Sequence, residues 1–158
     1  MRVIKRSGDV EPLNLDKWHK VCSWACEGIT GVSQSQLELN ANVQFHDRIK
    51  TSDIMELTIK SAADLISEDT PNYQYVASRL VNYNLRKQVY GAPEPTRFFD
   101  HVAYVVEEGY YDPEIFERYT EDEFDTFEAL INHDRDFNIA FVGMEQFRGK
   151  YLVKNRTT

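Results

Sequence analysis

The stretch KRSGDVEPLNLDK, residues 5–17, joins a cationic strand, a glycine turn and the start of a helix. Residues 3–5 and 10–12 are short strand candidates, and Gly8 between them tolerates the positive φ of a tight hairpin turn. Asn14 is a favourable N-cap, and apolar residues recur at helical spacing after it. The stretch therefore predicts a β-hairpin that runs directly into a helix.

Three further helices are predicted before residue 91. The second runs to about Asp47, and the fourth ends at Gly91, where a glycine favours helix termination. Their predicted starts are Ser33 or Ser35, Thr51-Ser52, and Thr70-Pro71, where a capping residue precedes a proline. Residues 1–91 thus predict a mainly α domain with a small N-terminal β-hairpin and about four helices.

The segment GAPEP, residues 91–95, contains two prolines one residue apart, which exclude a helix. We therefore expect residues 92–95 to be a linker and residues 96–158 to be a second, helical segment. Its predicted elements are a helix from Thr96 to Gly109, a short helix at Asp112-Pro113, a capping box formed by Thr120 and Glu123, a helix from Ile139 to Arg148, and a strand at Tyr151–Val153. That strand has no later partner, so we expect the chain to be part of a longer protein.

Composition excludes several functional classes. Apolar residues make up 42% and charged residues 28% of the 158 positions, as in globular proteins. Without a signal peptide or a long apolar run, a cytoplasmic protein that does not contact membranes is expected. Residues 1–91 contain 11 basic and 11 acidic residues, whereas residues 92–158 contain 7 and 15. Nucleic-acid binding is therefore not expected.

The hairpin and the first helix could together form an anion-binding pocket. Lys5 and Arg6 lie on the first strand, and Lys17 and Lys20 lie in the first turns of the helix, whose N-terminus favours anions. Glu11 and Asn14 would be the polar groups able to read a base edge. The alternative is an exposed hairpin that carries ordinary surface lysines, and the spacing alone does not decide between the two.

Several separated motifs resemble one known family. They are KRSGDVEPLNLDK, WACEG (24–28), IKTSDI (49–54), DTPNYQYVASRL (69–80) and NLRKQVYG (84–91), which resemble the ATP-cone of ribonucleotide reductase large subunits. The similarity continues with YDPEIFERYTEDE (111–123), INHDRD (131–136) and GKYLVKNRTT (149–158), which resemble the start of the catalytic subunit in bacterial and phage class I enzymes.

The resemblance implies binding of ATP or dATP as an allosteric effector, with Mg²⁺ accompanying the nucleotide. The implied binding residues are Lys5, Glu11, Pro12, Leu13, Asn14, Leu15, Asp16, Lys17, Thr51 and Lys87. Further expected participants are Arg6 and Lys20 at the phosphates and Val3 and Tyr83 as apolar walls. Met55 and Asn84 stand where relatives that are inhibited by dATP often carry histidine, so the resemblance implies nucleotide binding without implying inhibition by dATP.

The implied function is that of the N-terminal part of a class I ribonucleoside-diphosphate reductase large subunit, which reduces ribonucleoside diphosphates to deoxyribonucleotides. Its partners would be the rest of the large subunit and the radical-bearing small subunit. The family's catalytic cysteines map beyond Thr158, so no catalytic residue is expected here. The alternatives are a free-standing ATP-cone regulator or adaptor without catalysis, and a helical interaction module without a ligand. A repressor of that kind would carry a zinc ribbon, and this chain has no CxxC pair.

Three other features predict structural roles. Cys22 and Cys26 lie four apart on a predicted helix, a spacing typical of neither a disulfide framework nor a zinc site. The run His133-Asp134-Arg135-Asp136 could act as an acid and base but lies at a predicted helix end, where His and Arg suit the dipole. The acidic run 121–128 is expected to be a solvated helix face, with Phe124 and Phe127 turned inward and no metal bound.

Overall fold

Helices dominate the computed structural model, which describes residues 1–154, and a small sheet lies at the N-terminus. The strands are β1 (Arg2–Ile4), β2 (Val10–Pro12) and β3 (Ile49–Lys50). The helices are α1 (Leu15–Cys26), α2 (Gln34–Asn42), α3 (Thr51–Asp64), α4 (Tyr73–Tyr90), α5 (Phe98–Glu107), α6 (Glu114–Arg118), α7 (Glu121–Leu130) and α8 (Phe141–Gln146). A 3₁₀ helix (His133–Asn138) follows α7, and a π-helix (Phe147–Tyr151) follows α8. The predicted fold class is confirmed.

The predicted hairpin is present and leads into α1 as expected. β1 and β2 pair antiparallel, and the turn closes through a 2.8 Å hydrogen bond from the Lys5 N–H to the Asp9 carbonyl. Gly8 in this turn has a φ of 93°, which a residue with a Cβ rarely adopts. The Asn14 side chain accepts a 3.0 Å hydrogen bond from the Lys17 N–H, so Asn14 is the N-cap of α1.

A third strand was not predicted. β3 pairs parallel to β1, and the Arg48 N–H donates to the Arg2 carbonyl at 2.8 Å. The predicted end of the second helix near Asp47 is wrong, because α2 ends at Asn42 and the chain then turns toward the sheet. The Asp47 carboxylate accepts a 2.7 Å hydrogen bond from the Arg2 N–H, which lowers the pKa of this carboxyl. This short connection places the start of α3 beside the hairpin.

The first four helices share one buried core. The buried side chains of this core include Trp18, Cys22, Leu37, Ile54, Ile59, Tyr73, Val76 and Leu80. The indole N–H of Trp18 donates to the Thr58 hydroxyl at 3.0 Å, which satisfies a buried donor. Met144 of α8 is 5% exposed and belongs to the same core, so part of the second segment packs on the first.

Helix α4 begins later than predicted but ends where predicted. It starts at Tyr73 with Asn72 as its cap residue, and the Thr70 hydroxyl instead donates to the Leu65 carbonyl at 2.7 Å. Thr70 therefore closes the end of α3 and does not cap α4. Gly91 ends α4 with a φ of 74°, as a C-terminal glycine should.

The second segment contains an aromatic cluster around Phe124, whose side chain is 2% exposed. The rings of Phe98, Phe99 and Phe116 lie 5.5 to 5.8 Å from it. The capping box of Thr120 and Glu123 is confirmed at the start of α7. The predicted Thr96 cap is wrong, because α5 begins at Phe98 without a side-chain cap. Phe127 is turned toward the cluster, where its ring lies 6.3 Å from that of Phe124, but it remains 38% exposed.

The predicted helix 139–148 is divided in the structure. Helix α8 starts at Phe141, and the π-helix follows because the Leu152 N–H bonds to the Phe147 carbonyl, five residues back. The strand expected at 151–153 is wrong, since Tyr151 ends the π-helix and no strand follows it within residues 1–154. The rest of the predicted C-terminal motif, residues 155–158, lies outside the described part of the chain. None of the helices that the structure describes is long and apolar enough to span a bilayer.

Candidate functional site

A cleft of about 670 Å³ lies between the hairpin, the first turns of α1 and α3, and the last turns of α4, and we call it the hairpin cleft. Of the predicted site residues, those that line it are Lys5, Glu11, Leu13, Asn14, Lys17, Thr51 and Lys87. Pro12, Leu15 and Asp16 do not line it and are exposed. Its volume is in the range of small-molecule sites.

Cationic side chains dominate the polar lining of the hairpin cleft. They are Lys5, Arg6, Lys17, Lys20 and Lys87, against the carboxylates of Asp9 and Glu11. The Lys5 ammonium is paired with Glu11 at 3.0 Å, so one cation is already partly balanced. The excess of positive charge suits a polyanionic ligand, because converging cations raise the local concentration of anions.

Lys87 comes from a helix that is distant in sequence from the hairpin. Its ammonium lies 5.1 Å from the centroid of the Tyr83 ring, one helical turn earlier on α4. Tyr83 also contacts Trp24, with the ring centroids 5.8 Å apart. The ring favours the cation electrostatically without neutralising it.

The starts of α3 and α1 contribute hydrogen-bond donors to the cleft. Thr51 is the first residue of α3, and the preceding residue, Lys50, makes no side-chain cap bond, so the N–H groups of that first turn have no side-chain cap. Asn14 caps α1 through its side-chain oxygen, and its amide NH₂ can donate to a ligand.

Met55 and Asn84, the two positions at which the sequence departs from the resemblance, lie in different places in the structure. Met55 lines the hairpin cleft, whereas Asn84 is buried behind it. The Arg6 guanidinium donates to the Asn84 side-chain oxygen at 3.0 Å, and the Asn84 amide donates to Glu56 at 2.9 Å. Asn84 therefore acts as a support for Arg6.

Sequence reasoning missed several apolar residues that line the cleft, among them Trp18 and Ile54. Trp18 lies four residues after Asn14, and Ile54 lies three residues after Thr51. Each is therefore one helical turn beyond a predicted site residue and on the same face. Helical spacing was the signal that could have found both.

Comparison with known proteins identifies the family of the part of the chain that forms this cleft. A family model described as the ATP cone domain matches residues 1–88. The chain belongs to the ATP-cone family. The matched residues include β1 to β3 and nearly all of α4, and so contain nearly the whole lining of the hairpin cleft.

Similarity to individual relatives extends beyond the ATP-cone. The chain is 53% identical over 156 residues to ribonucleoside-diphosphate reductase 1 subunit alpha of Escherichia coli K12, which is 99% of this chain and 20% of that protein. It is 48% identical over 158 residues to the alpha subunit of Haemophilus influenzae Rd and 43% identical over 158 residues to that of Enterobacteria phage T4, in each case 100% of this chain and 21% of the relative. The chain thus spans about a fifth of the length of these relatives.

The surroundings of the two cysteines in the ATP-cone favour a structural role for them. Cys22 is fully buried and Cys26 half-buried. Burial, together with the nearby Glu38 and Cys26, raises the pKa of the Cys22 thiol to about 12. A thiol that stays protonated is a poor nucleophile and a poor metal ligand.

The run from His133 to Asp136 lies in the 3₁₀ helix after α7, where its contacts also favour a structural role. Asp136 pairs with the buried Arg86 of α4 at 2.8 Å, and His133 lies 3.5 Å from the same carboxylate. The Arg86 guanidinium lies 5.3 Å from the Phe137 ring centroid. These contacts attach the second segment to the ATP-cone.

One further cleft, of about 400 Å³, lies between the end of α4 and the start of α5. Its walls include Tyr90 and His101, whose rings pack edge to face at 4.9 Å. Burial lowers the pKa of His101. The lining contains no lysine or arginine, so this second cleft does not suit a polyanion.

Proposed function

We propose that the hairpin cleft binds ATP or dATP as an allosteric effector, and that residues 1–91 form the nucleotide-binding unit. The single observation that carries the proposal is the convergence of five cationic side chains from the hairpin, α1 and α4 on one cleft. The triphosphate of ATP carries several negative charges, and lysines bind phosphates as point charges.

The rest of the lining suits a nucleoside. Leu13, Val21, Ile54 and Met55 give the cleft apolar surface. Glu11 can accept from an exocyclic amino group, and the free amide of Asn14 can donate to a ring nitrogen. The hydroxyl and the N–H groups at the start of α3 can donate to phosphate oxygens.

We propose further that this chain is the regulatory N-terminal part of a ribonucleoside-diphosphate reductase alpha subunit. The similarity to alpha subunits continues past residue 88 to the whole chain, which favours this role over a free-standing ATP-cone regulator. The partners would be the rest of the alpha subunit and the radical-bearing small subunit. Regulation requires that the nucleotide bind with different affinity to two assembly states.

Mg²⁺ would accompany the nucleotide. The described residues contain no group of three His, Cys, Asp or Glu side chains placed to hold a metal. Phosphate oxygens and water would therefore supply most of the ligands, as is usual for Mg²⁺ bound to nucleotides.

Calorimetric titration with ATP tests the proposed site. The Lys87→Ala variant should bind ATP about tenfold more weakly, because removing one phosphate contact costs about 1.4 kcal/mol. The matched control is Lys60→Ala, which removes an exposed lysine of α3 outside the cleft and should bind like the unsubstituted chain. Equal affinity of Lys87→Ala and the unsubstituted chain would contradict the proposed site.

A further inference from the structure

We propose that a chain of hydrogen bonds from Arg6 through Asn84 and Glu56 to Arg148 couples effector binding to the C-terminal helical segment. The Arg6 Nη2 donates to the Asn84 Oδ1 at 3.0 Å, and the Asn84 Nδ2 donates to the Glu56 Oε1 at 2.9 Å. The Arg148 Nη1 donates to the same Glu56 oxygen at 3.0 Å. The proposal rests on the proposed function of the hairpin cleft, because Arg6 is its first member.

The chain joins parts of the molecule that are distant in sequence. Arg6 follows β1, Asn84 and Glu56 belong to α4 and α3, and Arg148 lies in the π-helix. Arg148 is fixed a second time by a 3.0 Å hydrogen bond from its Nη2 to Glu145 of α8. Arg148 therefore connects Glu56 to Glu145, so a change at Glu56 reaches both α8 and the π-helix.

Ligand binding acts on the first bond of the chain. Arg6 lines the cleft and is exposed, so its guanidinium can turn toward a phosphate, and a bond between two charged groups is stronger than its bond to a neutral amide. Asn84 is 1% exposed with Arg6 in place, and its side-chain oxygen loses its donor when Arg6 turns away. The loss of that donor is unfavourable, and the Asn84 side chain can recover a partner by turning, which changes its bond to Glu56.

The coupling is reciprocal. If bound nucleotide loosens the contact between Glu56 and Arg148, then loss of that contact must favour bound nucleotide by the same factor. Substitutions at Glu56 or Arg148, which do not line the cleft, are therefore expected to strengthen ATP binding. A residue with a structural role alone would leave the affinity unchanged or weaken it.

Amide hydrogen exchange and calorimetry on the full chain test the coupling. In the unsubstituted chain, ATP should speed exchange of the amides of residues 145–151. Glu56→Ala and Arg148→Ala should bind ATP about fivefold more tightly, the lower end of typical allosteric coupling, and should lose the exchange response. The Glu56→Gln variant keeps an oxygen acceptor at this position and should retain the exchange response.

The matched control is Arg118→Ala, which breaks an exposed pair with Glu114 on α6 and should change neither readout. Circular dichroism establishes that each variant is folded. ATP binding with unchanged exchange in residues 145–151, or unchanged affinity in both alanine variants, would overturn the coupling alone. Absence of ATP binding to the unsubstituted chain would overturn the proposed function as well, so the two failures are distinguishable.

Discussion

The ammonium group of Lys87 lies over the ring of Tyr83, 5.1 Å from its centroid, and both side chains face the hairpin cleft. Lys87 has no carboxylate partner within residues 1–154, whereas Lys5 across the cleft is paired with Glu11. An aromatic face orients a cation and leaves its charge available. The Lys87 ammonium is therefore oriented by the ring and remains available to a phosphate.

The Tyr83 ring should matter for binding, and its hydroxyl should not. Tyr83→Leu removes the aromatic face and is expected to weaken ATP binding about two- to fivefold, equivalent to the ~0.5–1 kcal/mol of a cation–π contact. Tyr83→Phe keeps the face and should bind like the unsubstituted chain. Calorimetry gives both affinities, and an equal loss in the two variants would show that the hydroxyl is the contributing group.

The contact between Asp136 and Arg86 should stabilise the second segment on the ATP-cone. Asp136→Ala leaves the buried guanidinium without its carboxylate, and we expect the free energy of unfolding to fall by about 1–2 kcal/mol, less than for a fully buried pair because Asp136 is partly exposed. Asp134→Ala is the control, because Asp134 is exposed, and a change within about 0.5 kcal/mol is expected. Urea unfolding measures both, and equal effects would refute the role of the pair.

The capping box should fix the start of α7. Thr120→Ala removes the acceptor for the Glu123 N–H and is expected to destabilise the helix by about 1 kcal/mol. Thr96→Ala, at a threonine that sequence alone marks as a cap but that caps no helix in the structure, should change stability by less than about 0.5 kcal/mol. Amide exchange within α7 and α5 reports the two effects, and faster exchange in α5 of Thr96→Ala would disagree with the structure.

The Cys22 thiol should be inert in the folded protein. Burial raises its pKa to about 12, so at pH 8 a Cys26→Ser variant should react with a thiol reagent only after unfolding. The folded pKa exceeds the ordinary value of 9.0, so the stability contributed by the protonated thiol is complete below pH 9 and is lost as pH rises toward 12. Rapid labelling of the folded variant at pH 8 would contradict this burial.

Local chemistry accounts for the features that sequence alone could predict. Asn14, Gly91 and the pair Thr120–Glu123 each act on backbone groups within a few residues, so their roles can be read from the pattern. Thr70 and Thr96 have the residue type of a cap, but neither caps the helix that follows. Residue type alone does not identify the backbone group that a side chain will bond.

Tertiary contacts account for what sequence alone could not predict. The two-residue strand β3 exists because β1 offers it a free edge, and no periodicity marks it. The contact between Glu56 and Arg148 spans 92 positions and depends on how α8 packs against α4. For the site, the family resemblance supplied Lys87, and the spacing of the hairpin and α1 supplied the other cations.

The most direct test of the nucleotide site is to follow the assigned backbone amide resonances of the isotope-labelled chain by nuclear magnetic resonance during titration with ATP. We predict saturable shifts that are largest at the residues lining the hairpin cleft, which include Lys5, Arg6, Glu11, Asn14, Lys17, Thr51 and Lys87. Shifts concentrated instead around Tyr90 and His101 in the second cleft, or no saturable shifts at all, would contradict the proposed site.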